Sequence, residues 1–166
     1  MLYFAYGSNL LTRRLNSRAP SARRVTTGYV AGRRLAWDKV SVDGSGKCDA
    51  EATGDPADRI WGVVFEVPPG EMIELDRAEG PGYERTQVEV VTAEGPISGV
   101  TYVATRKDPE LVPYRWYRDL AVAGAEEHGL PGEHVERMRS AAVVEDPVEE
   151  RRHRMAELLA RMVRRA

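Results

Sequence analysis

The sequence predicts an α+β fold: a mixed, curled sheet with helices packed around it. Three observations carry this reading. Strand-like segments crowd into the first part of the chain, the last sixty residues read as helical, and one short helix interrupts the strand section. The run Ile60-Trp61-Gly62-Val63-Val64-Phe65-Glu66-Val67 is almost continuously apolar, as expected of a strand covered on both faces. Strand–helix–strand units are too few for a fully wound parallel sheet.

Leu2-Tyr3-Phe4-Ala5 reads as a short buried strand that Gly7 breaks; Ser8 and Asn9 can cap the helical segment Leu10 to Leu15. Tyr29 to Asp38, with Val30, Leu35 and Trp37, reads as one strand with Gly32 as a bulge. Ser41 to Ala50 is rich in Gly, Ser, Asp and Lys and reads as a mobile loop. Pro68-Pro69-Gly70 ends the Ile60–Val67 strand, Glu71 to Ala78 forms a short helix, and Gly80-Pro81-Gly82 stops it. Thr86 to Thr92 and Ile97 to Thr105 are two further strands around a Glu94-Gly95-Pro96 turn. Pro113 and Gly129 bound a helix to His128, Glu133 to Ser140 forms the next, and Pro147 opens a third that runs to the end. That last helix, at about 147–165, lines up Val148, Met155, Leu158, Leu159 and Met162 on one stripe, with Glu150/Arg154 and Glu157/Arg161 on the wet side.

Length, 166 residues, suits a single domain, and 42% hydrophobic residues suffice for a core. A net charge of -2 argues against a general grip on nucleic acid, although Arg151-Arg152 and Arg164-Arg165 cluster locally. The apolar stripe of the last helix suits packing on its own domain, or on a mate in a homodimer, better than docking to nucleic acid or another partner. No apolar run approaches the roughly 20 residues a membrane span needs, and no leader-like segment precedes Leu2, so the expected location is cytoplasmic. Cys48 is the one cysteine, beside Lys47; an incidental loop cysteine accounts for it better than a reactive thiol does. His128, His134 and His153 lack metal-ligand spacing. No Gly-x-Ser-x-Gly elbow surrounds Ser8, which reads as a cap or amide-bearing loop residue rather than a nucleophile.

Two features point to chemistry. The turn Tyr6-Gly7-Ser8-Asn9 follows a strand and opens a helix, so its N–H groups can cradle an anion or a carbonyl oxygen. Glu79 lies in the last turn of a short helix, where the helix dipole opposes its ionisation and Asp76 adds like charge; both favour a carboxyl that trades protons near neutrality. Ordinary helix design would place Lys or Arg there. On the residues alone, a solvated glutamate at a helix end remains the better account.

A resemblance changes that balance. Phe4-Ala5-Tyr6-Gly7-Ser8-Asn9-Leu10, Trp61-Gly62-Val63-Val64, Leu75-Asp76-Arg77-Ala78-Glu79-Gly80 and the segment Tyr117 to Pro131 together resemble the gamma-glutamylcyclotransferases, in order over about the first 131 residues. The resemblance implies a small β-barrel-like sheet of about five to seven strands with surrounding helices. It implies an enzyme that takes a small γ-glutamyl substrate, lets the α-amino group attack its own side-chain amide, and releases 5-oxoproline and an amine. Neither a metal nor another cofactor is implied. Glu79 matches the family's catalytic glutamate, acting as base and then acid. Tyr3, Tyr6, Gly7, Ser8, Asn9 and Leu10 match its substrate-binding strand and loop, and Tyr117, Tyr83 and Tyr102 its pocket aromatics; a core tyrosine with a satisfied hydroxyl competes for each aromatic. Arg85 is a candidate partner for a substrate carboxylate. Asn9 stands where the glutathione-specific branch carries leucine, which favours γ-glutamyl amino acids or amines. The short Glu79–Tyr83 stretch leaves the leaving-group side open, and bacterial relatives that deprotect antibiotic precursors make a biosynthetic role an alternative. The rival reading from another class is a non-catalytic binding or interaction module that kept the pocket.

Overall fold

The computed structural model describes residues 1–163, so Arg164 and Arg165 lie outside it, as does the side chain of Met162. Five strands close a barrel: β1 (Leu2–Ala5), β2 (Arg23–Ala31), β5 (Arg59–Glu66), β6 (Tyr83–Thr92) and β7 (Gly95–Ala104), in the order β1-β5-β2-β6-β7. Closure comes from a parallel pairing of β1 with β7 at Tyr3 and Val100. Two further strands, β3 (Arg33–Val40) and β4 (Gly46–Ala52), form a separate antiparallel ribbon. Helices α1 (Thr12–Asn16), α2 (Pro69–Glu79), α3 (Arg115–Glu127), α4 (Gly132–Arg139) and α5 (Glu149–Val163) complete the described residues.

The core explains β5. Ile60, Val63, Val64 and Phe65 are all buried, so both strand faces are covered. β1 runs antiparallel to it, pairing Leu2 with Glu66 and Ala5 with Val63. Gly62 permits that pairing to close tightly, because a β-carbon there would lie 2.2 Å from the Ala5 carbonyl oxygen. Outside the barrel, α3 rests directly on the chain that leaves β1. A β-carbon at Gly124 would meet the Leu11 nitrogen at 2.3 Å. This contact fixes the segment after β1 against a rigid helix.

Two expectations from the sequence are corrected. Tyr29 to Asp38 is not one strand: Gly32 takes φ +71°, and the chain turns there out of the barrel and into the ribbon. The left-handed conformation makes Gly32 a turn rather than a bulge. Ser41 to Ala50 is not a mobile loop either, since its second half is β4. The polar residue that disguised the strand is Asp49, which is fully buried, accepts the Ala104 N–H at 2.7 Å and pairs with Lys107. An inward carboxylate with both partners supplied behaves as a core residue.

The terminal helix packs on α3 with Met155, Leu158 and Leu159 partly buried, while Val148 stays exposed. Its entry is pinned by buried Asp146, which accepts from Arg151 at 2.5 and 2.7 Å, Trp116 at 2.9 Å and the Val148 N–H at 2.9 Å. The Arg151 guanidinium, chiefly, holds the Asp146 carboxyl well below the usual carboxylate range. No helix among the described residues is long and apolar enough to cross a membrane.

His134 on α4 is 3% exposed, and burial, reinforced by Arg137, pushes its pKa from 6.5 to about 4. The folded protein therefore resists a proton that the unfolded chain accepts near 6.5. The stabilisation is complete above that pH and is lost as pH falls from 6.5 towards 4. Urea unfolding at pH 7 and pH 5 should show this loss, and it should be smaller in His134→Phe.

Candidate active site

The site forms where the end of β1 meets the end of α2. After Ala5 the chain turns through Tyr6 and Gly7 into a single 3-10 turn, Ser8–Leu10, closed by the Leu10 N–H on the Gly7 carbonyl at 2.9 Å. Gly7 is required by proximity: its β-carbon would stand 2.9 Å from the Cys48 Cβ and 3.1 Å from its Sγ. Strand β4 thus presses on the loop. The N–H groups of Gly7, Ser8 and Asn9 donate to no backbone acceptor among the described residues. They are the free donors that a helix start leaves.

Opposite the loop, α2 ends at Glu79, and Gly80, at φ +72°, turns the chain away. The Glu79 side chain is 16% exposed. Its Oε1 accepts from Asn9 Nδ2 at 2.9 Å and from Arg18 Nη1 at 2.9 Å. The same Arg18 nitrogen reaches Asn9 Oδ1 at 3.0 Å, and Asn9 Nδ2 also donates to the Tyr3 hydroxyl at 3.0 Å. The carboxylate is therefore held by an amide from the loop and by a guanidinium from the chain after α1. Arg18 is the residue that sequence reasoning missed. Its signal was present, since Arg14 and Arg18 stand four apart just after the loop, and Arg14 Nε donates to Ser8 Oγ at 3.0 Å.

The like charge expected from Asp76 is answered elsewhere. Asp76 accepts from the Tyr102 hydroxyl at 2.7 Å and from Arg85 at 3.1 Å, so Arg85 is engaged with a protein carboxylate. Glu79 faces a cation instead.

Between loop and helix lies a cavity of about 290 Å³ including its open mouth, lined by Tyr3, Tyr6, Gly7, Ser8, Asn9, Cys48, Glu79, Tyr83, Tyr102 and Tyr117. Leu10, expected among the binding residues, is not in the lining: it is fully buried, below the loop and against Gly124. A wider cleft against Trp37, Trp61 and His134 shares no lining residue with this cavity, so Gly7, Ser8, Asn9 and Glu79 border only the smaller one.

Each tyrosine hydroxyl is tied to protein. Tyr6 donates to the Tyr102 carbonyl at 2.5 Å, Tyr83 donates to the Cys48 carbonyl at 2.6 Å, and Tyr117 accepts the Cys48 N–H at 3.2 Å. Burial pushes the pKa of all five phenols upward from 10. They are neutral walls at physiological pH, and Glu79 is the one carboxylate in the lining.

Cys48 is neither a loop residue nor a reactive thiol. It is 2% exposed, and burial drives its pKa up to about 12. Lys47 beside it turns away to Asp43, at 2.8 Å, and onto the Trp116 and Tyr117 rings. A thiolate-directed reagent at pH 8 should leave the native protein unlabelled and modify one thiol after unfolding in urea. Among the described residues, no three His, Cys, Asp or Glu side chains gather as a metal site.

Comparison with known proteins bears on family and fold. Residues 59–138 match the AIG2-like family. Human gamma-glutamylcyclotransferase is 34% identical over 151 residues, spanning 84% of this chain and 77% of that protein. The structure of a gamma-glutamyl cyclotransferase superposes with a TM-score of 0.84 at 28% identity, covering 97% of this chain and 98% of its own. A crystal structure of an uncharacterized human protein gives 0.81 at 30% identity, covering 96% and 97%. With a matching fold over 97% of its length and a relative 34% identical over 84% of it, the chain belongs to the gamma-glutamylcyclotransferase family of enzymes.

Proposed function

We propose that this protein converts a γ-glutamyl amino acid or amine into 5-oxoproline and the free amine, with Glu79 as the proton carrier. The observation that carries the reading is the single carboxylate at the rim of the free loop amides, in a cavity of otherwise neutral walls. Glu79 takes a proton from the substrate α-ammonium. The freed amine attacks the γ-carbonyl carbon, and a C–N bond forms to close a five-membered ring. The carbonyl oxygen, now negative, lies against the N–H groups of Gly7, Ser8 and Asn9. The tetrahedral centre then collapses: the bond to the leaving nitrogen breaks as Glu79 returns the proton to it, and the ring nitrogen gives up its second proton to the departing amine, which leaves as an ammonium. No outside nucleophile enters. Holding amine and carbonyl in contact can supply roughly 7–11 kcal/mol of the barrier.

Arg18 is a positioning residue in this scheme. Its guanidinium, 2.9 Å from Glu79 Oε1 and 3.0 Å from Asn9 Oδ1, holds the carboxylate beside the loop. The tyrosines confine the substrate in its folded form and exclude water.

Glu79→Gln keeps the shape and the Asn9 contact but carries no proton between nitrogens. It is expected to lower 5-oxoproline formation by about 10²–10⁴-fold with the fold unchanged. A panel of γ-glutamyl amino acids and amines, scored by mass spectrometry, provides the assay. Full activity in Glu79→Gln removes the carboxylate from the mechanism, and no turnover of the panel by the unmodified protein favours a binding module. Arg18→Met should lower kcat for 5-oxoproline formation while KM changes little, because the Glu79 side chain loses the guanidinium that holds it beside the loop. Arg18→Lys should restore part of kcat, whereas an unchanged kcat in Arg18→Met would remove Arg18 from the scheme.

A further inference from the structure

The chain has three lysines. Two meet carboxylates: Lys47 pairs with Asp43 and Lys107 with buried Asp49. Lys39 is different. It is 9% exposed, yet among the described residues its ammonium forms no ion pair and no hydrogen bond with a protein acceptor.

Three features build the place it occupies. The register of β3 against β4 slips between Ala36 and Lys39, and an irregularity of this kind re-aims the side chains that follow it. Gly82 makes room for the stem: a β-carbon there would lie 2.7 Å from Lys39 Cε and 3.1 Å from Nζ. The ammonium sits 4.7 Å from the centre of the Tyr83 ring, and Tyr83 lines the cavity at Glu79. Lys39 therefore packs against Tyr83, next to the cavity's lining rather than within it, beside the short Gly80-Pro81-Gly82 turn that follows Glu79. Burial pushes its pKa down, and the negative charge of Glu79 is the strongest influence the other way, with Asp43 acting in the same sense and Arg106 opposing it.

A buried ammonium without an acid is a costly arrangement unless a ligand completes it. We infer that Lys39 is a specificity-determining residue that receives an anionic group on the leaving amine, the carboxylate of a γ-glutamyl amino acid. The inference rests on the cyclotransferase reading and goes beyond it, because it divides the candidate substrates. A γ-glutamyl group seated between Glu79 and the loop amides directs the substituent on its amide nitrogen past Tyr83 towards Lys39. An α-carboxylate on that substituent meets the ammonium; an alkyl or amidated substituent leaves it unpaired.

Paired substrates test this directly. γ-Glutamylalanine and γ-glutamylalaninamide differ only in the charged carboxylate. The unmodified enzyme should turn over the acid with a kcat/KM at least about tenfold higher, the ratio that one charge-assisted contact supplies. In Lys39→Met that ratio should fall close to one, chiefly through a higher KM for the acid, while kcat on the amide is kept. Retained turnover of the amide shows that the variant folds, and Lys39→Arg should restore the preference. Equal turnover of acid and amide by the unmodified enzyme, or an undiminished ratio in Lys39→Met, overturns the role of Lys39 and leaves Glu79 untouched. If neither substrate yields 5-oxoproline, the cyclotransferase reading falls and the inference with it.

Discussion

The contact on which the site depends is the junction of Asn9, Glu79 and Arg18. It ties two segments 70 residues apart, the loop after β1 and the end of α2, through hydrogen bonds of 2.9 to 3.0 Å. Much of the surrounding fold bears on placing those two ends. The barrel closes β1 against β7, α3 leans on the loop at Gly124, and β4 approaches Gly7 closely enough that no side chain fits there. Gly80 turns the chain aside so that Glu79 is the last residue of its helix. A carboxylate at that end works against the helix dipole. Arg18 offsets this, and the amide of Asn9 selects one direction for the side chain.

The cavity is as informative for its neutral groups as for its charged one. Five buried phenols and a buried thiol surround a single carboxylate, and burial holds all six in their protonated, neutral forms. Their hydroxyls are spent on backbone carbonyls, on the Cys48 N–H and on the side chains of Asn9 and Asp76. In such surroundings the few fixed dipoles act through a low local dielectric and count for more than they would in water. A reaction in which the substrate supplies its own nucleophile asks little else of the protein: a folded substrate, a donor for the oxygen and a traveller for the proton.

What the sequence disclosed follows from which physical signals are local. β1, β5 and α2 were legible because apolar runs and Gly/Pro stops are local patterns. So was the loop at Gly7, which sits at an element end that punctuation marks; at Glu79 the residues alone favoured a solvated helix end, and only the family resemblance singled the carboxylate out. The ribbon was not legible. Asp49 and Lys39 point inward and are accommodated by residues far along the chain, so β4 carried the composition of a loop and β3 was fused to β2 across Gly32. The contribution of Arg18 was hidden for the same reason, because its partner is 61 residues away. Leu10 was over-read: it continues the loop motif, but its side chain belongs to the core beneath.

Catalysis at this site turns on where a bound substrate places two atoms. A crystal structure of Glu79→Gln with γ-glutamylalanine reads it directly. The α-amino nitrogen should lie within hydrogen-bond reach of residue 79 and the γ-carbonyl oxygen should face the N–H groups of Gly7, Ser8 and Asn9. Density for the ligand in the cleft against Trp37 and Trp61, or a γ-carbonyl turned away from the loop, would contradict it.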